Sequence, residues 1–389
     1  MIVRKVDVFR EKQGINLLTG HPVTSIDRGA KSVKGTTLEG KPFAALYDKL
    51  LIATGATPIL PDLPGIEHPG VMVLKTLADG RRIKQYLNGR TVRSAVIIGM
   101  GYIALEMCEA LQTLGLEVAM VKPNPRFLPW LKEELAAVVA EEIRAKSVTI
   151  HTGCRMTRID NSGGHLQVVC EDLTLDADMV LVATGVLPNS EIAAAAGIEL
   201  GPNNSIAVDN RLMTSDPHVY AAGDCADAVH VVTGQKTWIP LALRANRAGW
   251  AVADNVCGRD IALSGVVGTA VFKVFDLQVA RTGLNRKEAA AAGFETAEVA
   301  IKTRSRAHAH PGASTIHVSM VGDTNTGRLL GTQMVGHEGV AHRINAPAVA
   351  LHAQMTVEQF SQTDLSYAPP FGPTWDPCLT AANQLLKKL

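Results

Sequence analysis

The chain has 389 residues, 47% of them hydrophobic, with 38 Lys and Arg set against 37 Asp and Glu. That length accommodates two or three domains and a large buried core, and the balanced charge argues against nucleic acid or an anionic membrane as the main partner. No apolar run is long enough to span a membrane, and the start, "MIVRKVDVFREKQG", lacks the continuous apolar core of a signal peptide; a cytoplasmic protein is expected.

In chain order, residues 1 to about 90 read as β-rich. "VTSIDRGAKSVKG" and "LEGKPFAALYDKLLIATG" suggest strands joined by turns, and the Pro/Gly-rich connector "PILPDLPGIEHPG" comes next. From 91 to 205 strands alternate with helices. "AVIIG" reads as a buried strand, and "YIALEMCEALQTLG" has the apolar spacing of a helix that stops at Gly115. "EVAMV" is the next strand, and "KEELAAVVAEEIRAK" is an amphipathic helix with acids near its start, where they complement the helix dipole. This order of elements is a Rossmann-type unit. Two similar phrases flank it, "YDKLLIATGATP" at 47–58 and "ADMVLVATGVLPN" at 177–189. Each is a buried strand ending in Ala-Thr-Gly, so the chain is expected to enter the unit from another domain and to return to it.

"WIPLALRANRAGWAVADNVCG" reads as a helix. From about 264 the texture changes to consecutive strands, "TAVFKVFDLQVARTGL", "FETAEVAIKT", "STIHVSMVGD" and "GRLLGTQMVG", with helices around 340–360 and 377–389. That is the pattern of an antiparallel sheet with helices, a separate α+β domain.

The sharpest motif is "SAVIIGMGYIALEM", in which Gly99, Gly101 and Ala104 make G-x-G-x-x-A between a strand and a helix. Gly99 would allow the tight turn and Gly101 a close approach of backbone to a pyrophosphate. Ala104 would keep helix and strand together, and the helix N-terminus would supply free N–H groups. The end of the second strand chooses the nucleotide: an acid there bonds the ribose hydroxyls of NAD, whereas basic residues accommodate the extra phosphate of NADP. Here the strand ends at Lys122, with Arg126 soon after and no acid at the tip. This leans toward NADPH or tolerance of both; the alternative is a merely solvated lysine.

Six cysteines are scattered, at 108, 154, 170, 225, 257 and 378, and none has CxxC spacing. Neither a zinc site nor a CxxC redox motif is signalled, and most are expected to be reduced, buried apolar residues. No metal is expected.

"VIIGMGYIALEM", the two "ATG" junctions, "VYAAGDCAD", "GTAVFKVFDLQVARTGL" and "YAPPFGPTWDP" together resemble the pyridine nucleotide-disulfide oxidoreductases. The branch holding coenzyme A-disulfide reductase, NADH oxidase and persulfide reductase is the most similar. The resemblance covers essentially the whole chain. It implies two Rossmann-like nucleotide-binding domains and a C-terminal α+β domain that builds a homodimer. The FAD domain would comprise 1–90 and 206–262, the NAD(P)H domain 91–205 and the dimerisation domain 263–389. It also implies FAD and NAD(P)H as cofactors, with hydride passing through flavin to a small disulfide or persulfide, or to oxygen or peroxide.

By the same resemblance Thr54, Gly55, Gly223 and Asp224 would meet FAD, with Asp224 hydrogen-bonding the ribityl chain, a role that suits an acceptor-only carboxylate. Gly185 would line the NAD(P)H cleft. Tyr102 would cover the flavin until nicotinamide displaces it, and Glu106 would lie near the nicotinamide amide. Tyr367 keeps the family's residue in "YAPPF".

The sequence also departs from the family. The usual opening G-x-G-x-x-G and a redox cysteine against the flavin are not in this chain, whose first residues resemble the family's stretch C-terminal to that cysteine; a preceding segment is expected. Cys225, in the flavin-contacting stretch, is expected to be structural, and Cys378 is a candidate reactive thiol. Coenzyme A-disulfide reductases carry tyrosines where this chain has His308 and His310. On a strand these i, i+2 histidines would face one side and could bind a metal, donate to a carboxylate or phosphate, or titrate near neutral pH; otherwise they are partly exposed loop histidines before Pro311. Two rival readings remain open. One is an NAD(P)H dehydrogenase with a non-thiol acceptor, and the other a non-catalytic nucleotide-binding remnant.

Overall fold

The computed structural model describes residues 5–389, which divide into two compact units. Among the described residues the first comprises 5–55, 188–228 and 236–263; the second comprises 56–187, 229–235 and 264–389. The chain therefore passes from one unit to the other at the two "ATG" phrases, at Gly55/Ala56 and again at Leu187/Pro188.

The second unit holds a five-stranded parallel sheet in the order Val71–Val73, Met179–Val182, Ser94–Ile98, Glu117–Lys122, Thr149–Thr152. Its central strands are apolar throughout because both faces are covered: Met179–Val182 is buried at every position, as are Ala95 to Ile98. Helices Tyr102–Thr113 and Glu133–Ala145 cover the sheet through Ala104, Leu105, Leu111, Leu135, Val139 and Ile143. Each buried leucine contributes roughly 1.5–3 kcal/mol. Between helix and second strand Gly115 takes φ +87°, where the helix stops.

The β-rich reading of residues 1–90 is corrected at two helices, the five-residue π-helix Val8–Lys12 and a longer one. Leu77–Asn88 is an α-helix, started by a capping box in which Thr76 accepts from the Asp79 N–H and Asp79 accepts from the Thr76 N–H.

A three-stranded antiparallel meander, Met156–Ser162, His165–Cys170 and Thr174–Ala177, is inserted between the parallel strands Thr149–Thr152 and Met179–Val182. It corrects the cysteine reading as well: Cys154 and Cys170 are joined by a disulfide. Antiparallel register places Cys170 opposite Met156, two residues from Cys154, an adjacency that a separation of 16 residues does not announce.

Residues 270–389, also in the second unit, form the expected antiparallel sheet. The order is Ala270–Val274, Leu277–Gly283, Leu329–Gly336, Thr315–Asp323, Thr296–Arg304. The central strand Leu329–Gly336 is buried along its whole length. Helix Pro377–Leu385, capped by Asp376 with Pro377 as its first residue, packs Leu379 and Leu385 into this core beside Phe360. Glu109 of helix Tyr102–Thr113 accepts from Lys273 Nζ at 2.6 Å and from the Phe275 N–H at 2.7 Å, which ties that helix to the hairpin beginning the antiparallel sheet.

The first unit contains the antiparallel meander Val23–Asp27, Ser32–Thr36, Pro42–Leu46 and a parallel pair, Leu50–Ile52 with Val219–Ala221. Helix Ala242–Val256 buries Ala248 and Val252 against Ile52, Ile206, Val219 and Ala221. Among the described residues no helix is long and apolar enough to cross a membrane.

Candidate nucleotide and flavin sites

In the second unit, strand Ser94–Ile98 ends in Gly99 at φ +116°. A Cβ there would stand 2.2 Å from the Ala183 carbonyl oxygen, so the neighbouring "ATG" backbone leaves room only for glycine. Gly101 differs. Its backbone is extended (φ −87°, ψ −172°), and nothing lies within 4 Å of where its Cβ would be. It is the N-cap of helix Tyr102–Thr113, and no side chain caps that terminus. Ala104 is fully buried against the sheet. The loop thus presents bare backbone and unpaired helix N–H groups on one open side, as a bound pyrophosphate requires. Gly185, at φ +124° and exposed, belongs to the second "ATG" phrase. Its carbonyl accepts from the Ile59 N–H at 2.9 Å, while Thr184 Oγ1 donates to the Ile59 carbonyl at 2.7 Å.

Lys122 and Arg126 meet in one turn at the tip of the second strand. Lys122 Nζ donates to the Arg126 carbonyl at 2.9 Å and is half-buried, and desolvation lowers its pKa. The Arg126 side chain is exposed. Of the two cations, Arg126 is the better placed to meet a phosphate.

Tyr102 and Glu106 are one helical turn apart on the same face. The Tyr102 ring is half-buried, edge-on to Trp130 at 5.5 Å and tilted against Phe272 at 5.2 Å; burial raises its phenol pKa. Glu106 is exposed, its pKa raised by partial desolvation and then by Glu109.

In the first unit, the turn after strand Val219–Ala221 carries Gly223 and Asp224. Gly223 (φ +88°) and Gly55 (φ +72°) both take the left-handed conformation with open space where a Cβ would sit. Thr54 and Asn189 exchange hydrogen bonds: Thr54 Oγ1 donates to the Asn189 carbonyl, and Asn189 Nδ2 donates to the Thr54 carbonyl at 2.8 Å. The Asp224 carbonyl accepts from Trp238 Nε1 at 2.8 Å. Two open-sided glycine backbones and a half-buried carboxylate fit the flat, polyhydroxylated FAD.

Sequence reasoning missed the residue that fixes this turn. Arg244, buried on helix Ala242–Val256, donates to the carbonyls of Gly223 (2.6 Å), Ala226 (2.8 Å) and Asp227. Nothing in "LRANRAG" distinguishes Arg244 from Arg247 except helical phase relative to the core. Cys225 is fully buried, its thiol directed at the carbonyls of Ala222 and Ile52.

The C-terminal loops bring together the stretches around His310 and Tyr367. The Ala307 N–H donates to the Pro369 carbonyl at 3.0 Å, and Arg343 donates to the carbonyls of Ser305 and Phe371. Tyr367 is exposed, as are Phe371 and Trp375. The histidines are not on a strand: Thr296–Arg304 ends before them, and His308 and His310 lie in a turn, with His310 Nδ1 3.0 Å from the Pro311 carbonyl. Pro311 and Gly312 (φ +73°) break the extended conformation that strand pairing needs. Among the described residues no group of three or more His, Cys, Asp or Glu could hold a metal ion. Cys378 is corrected outright. It is fully buried on helix Pro377–Leu385 with its sulfur against Met334 and the Arg343 carbonyl, and burial drives its pKa far up, so it is no reactive thiol.

Comparison with known proteins shows the family to which this fold is similar. Residues 3–249 match the pyridine nucleotide-disulphide oxidoreductase family, and residues 269–377 match that family's dimerisation domain. The chain is 35% identical to an NAD(P)H sulfur oxidoreductase (CoA-dependent) of Pyrococcus furiosus, over 97% of this chain and 85% of that one. It is 32% identical to an NADH oxidase of Methanocaldococcus jannaschii, over 100% and 87%. Among solved structures, an NAD-dependent persulfide reductase from A. fulgidus superposes with a TM-score of 0.95 at 37% identity, over 100% of this chain and 72% of that one.

Proposed function

The chain belongs to the pyridine nucleotide-disulphide oxidoreductases, which are FAD-dependent enzymes using NAD(P)H, and from that premise we propose that it passes reducing equivalents from NAD(P)H through FAD to a small persulfide or disulfide, or to oxygen. The observation that carries this reading is the loop at Gly99–Ala104, whose open backbone side and uncapped helix N-terminus are suited to a dinucleotide pyrophosphate. FAD, when bound, supplies the chemistry of accepting a hydride and releasing its electrons onward. The residues of the chain bind, orient and shield.

Gly99 and Gly101 hold the nucleotide's pyrophosphate, and Gly185 lines its cleft. Arg126, with Lys122 behind it, meets the ribose end, which supports use of NADPH alongside NADH. Thr54, Gly55, Gly223 and Asp224 bind FAD, with Asp224 accepting from ribityl hydroxyls and Arg244 keeping the turn in shape. Tyr102 shields the flavin while its ring lies over it and yields that place to nicotinamide, and Glu106 lies by the nicotinamide amide. His310 and Tyr367 face the acceptor. The protein acts as a homodimer, a reading supported by the match to a dimerisation domain and by the exposed Tyr367, Phe371 and Trp375; the cytoplasm is the compartment we propose for it.

A non-thiol acceptor is the second reading. The burial of Cys108, Cys225 and Cys378 favours it, leaving Cys257 as the exposed free thiol among the described residues. One experiment separates the two: NAD(P)H oxidation by the FAD-loaded protein with polysulfide, coenzyme A disulfide, oxygen or a quinone as acceptor. Turnover with a sulfur compound or oxygen supports the first reading. Turnover with the quinone alone overturns it in favour of the second.

A further inference from the structure

Trp130 lies in the loop between strand Glu117–Lys122 and helix Glu133–Ala145, yet it is fixed more firmly than loop residues usually are. Its carbonyl accepts from Gln333 Nε2 at 2.7 Å and from Asn285 Nδ2 at 3.2 Å. Gln333 Oε1 in turn accepts from the Lys132 N–H at 2.7 Å, so both ends of that amide grip the same loop. The Arg281 guanidinium stands 5.8 Å from the centre of the indole ring, held there by a two-point ion pair with Glu288 (2.6 and 3.2 Å). The indole also meets Tyr102 edge-on at 5.5 Å and Phe272 at 6.2 Å.

All of this converges on one ring. Tyr102 is the first residue of its helix, directly after the glycine loop, and its side chain enters a socket built from two distant stretches, at 130 and 272. We propose that Trp130, braced by Arg281, Gln333 and Asn285, is a positioning residue that holds the Tyr102 ring aside in the Trp130–Phe272 socket, and that socket occupancy sets how readily nicotinamide gains access. The proposal rests on the reading of Tyr102 as the residue that nicotinamide displaces. An aromatic ring that swings between two positions needs a defined site in each; otherwise the nucleotide must hold the ring off by its own binding energy.

The test uses the full-length protein carrying Trp130→Leu, with Trp130→Phe as the conservative control, each in the native and the Tyr102→Ala background. Affinity for oxidised NAD+ is measured by calorimetry, with no turnover required. Loss of one edge-on aromatic pair weakens binding roughly two- to tenfold in Trp130→Leu and less in Trp130→Phe. In the Tyr102→Ala background the same substitution has no effect, because no ring remains to be stored. Fluorine NMR of the fluorotyrosine-labelled protein reads the ring itself: the Tyr102 resonance, assigned by its loss in Tyr102→Phe, shifts and broadens in Trp130→Leu without nucleotide.

An equal loss of affinity in both backgrounds, or an unmoved Tyr102 resonance, overturns the proposal. Should Trp130→Leu fail to fold, the same comparison is made with Trp130→Phe and with Arg281→Gln. If the unaltered protein binds NAD+ but NADPH or NADH never bleaches its flavin, the functional reading fails instead, and the NMR result still decides the socket.

Discussion

The two glycines of the loop have opposite reasons to be glycine, and two alanine substitutions separate them. At Gly99, alanine must hold φ +116°, which costs about 1–3 kcal/mol, and its Cβ would fall 2.2 Å from the Ala183 carbonyl oxygen and 2.7 Å from its carbon. Backbone on both sides leaves no flexible neighbour to yield. Gly99→Ala should therefore lower the melting temperature by several degrees. At Gly101, φ −87° and ψ −172° suit any L-residue, and no atom of the protein lies within 4 Å of the new methyl. Gly101→Ala should fold with unchanged stability, yet its methyl would occupy the face the pyrophosphate approaches. Losing one or two charge-assisted hydrogen bonds costs about 1.5–3 kcal/mol each, which for one bond raises KM for NAD(P)H roughly 10- to 150-fold. Scanning calorimetry and steady-state kinetics on both variants are the assay. If Gly101→Ala kept its stability and the native KM, the loop would not be holding the pyrophosphate.

Further outcomes are expected. Arg126→Ala should reduce kcat/KM for NADPH about tenfold or more and leave NADH nearly unchanged, since the Arg126 side chain is exposed whereas Lys122 is tied to a carbonyl; equal losses for both nucleotides would remove Arg126 from the selectivity site. His230 is buried, and desolvation depresses its pKa, with Glu288 opposing the shift and Arg281 and His352 adding to it. Below the ordinary histidine value the unfolded chain takes up a proton that the folded chain refuses, so stability falls as pH drops from about 7 toward 5. His230→Asn should flatten that slope in melting temperature against pH; parallel curves for the two proteins would dismiss the assignment. Thiol titration of the unreduced protein should find one fast-reacting group, Cys257, and four in all after denaturation, rising to six once the Cys154–Cys170 bond is reduced. Six groups without reductant would show that the bond is not formed.

Much of the architecture was legible because it is written in short-range periodicity. The strands at Ser94–Ile98 and Glu117–Lys122, the helices between and after them, and the antiparallel run from 270 all obey apolar spacing that survives in a single sequence. Helix Leu77–Asn88 escaped notice because "LADGRRIKQYLN" buries only Ile83. Its signal was the T-x-x-D capping box, not an apolar stripe. The glycine loop could be placed from its motif, but the distinct reasons for Gly99 and Gly101 could not, because the first depends on backbone at Ala183, more than eighty positions away. The same limit hid Arg244, the Cys154–Cys170 pairing and the Trp130–Phe272 socket: each joins residues distant in sequence, and tertiary packing alone determines which side chain faces which. Of the two readings of His308 and His310, the partly exposed loop before Pro311 is the one the structure shows: i, i+2 spacing puts side chains on one face only on a strand, and the chain turns before reaching them.

Whether this chain binds FAD and lets NAD(P)H reduce it is decided by anaerobic titration of the FAD-loaded protein. The oxidised flavin band should bleach in proportion to added NADPH or NADH, and Gly101→Ala should shift the titration to higher nucleotide concentration while the flavin stays bound. A protein that retains FAD yet shows no bleaching with either nucleotide, or that binds NAD(P)H but takes up no FAD, would contradict the proposed function.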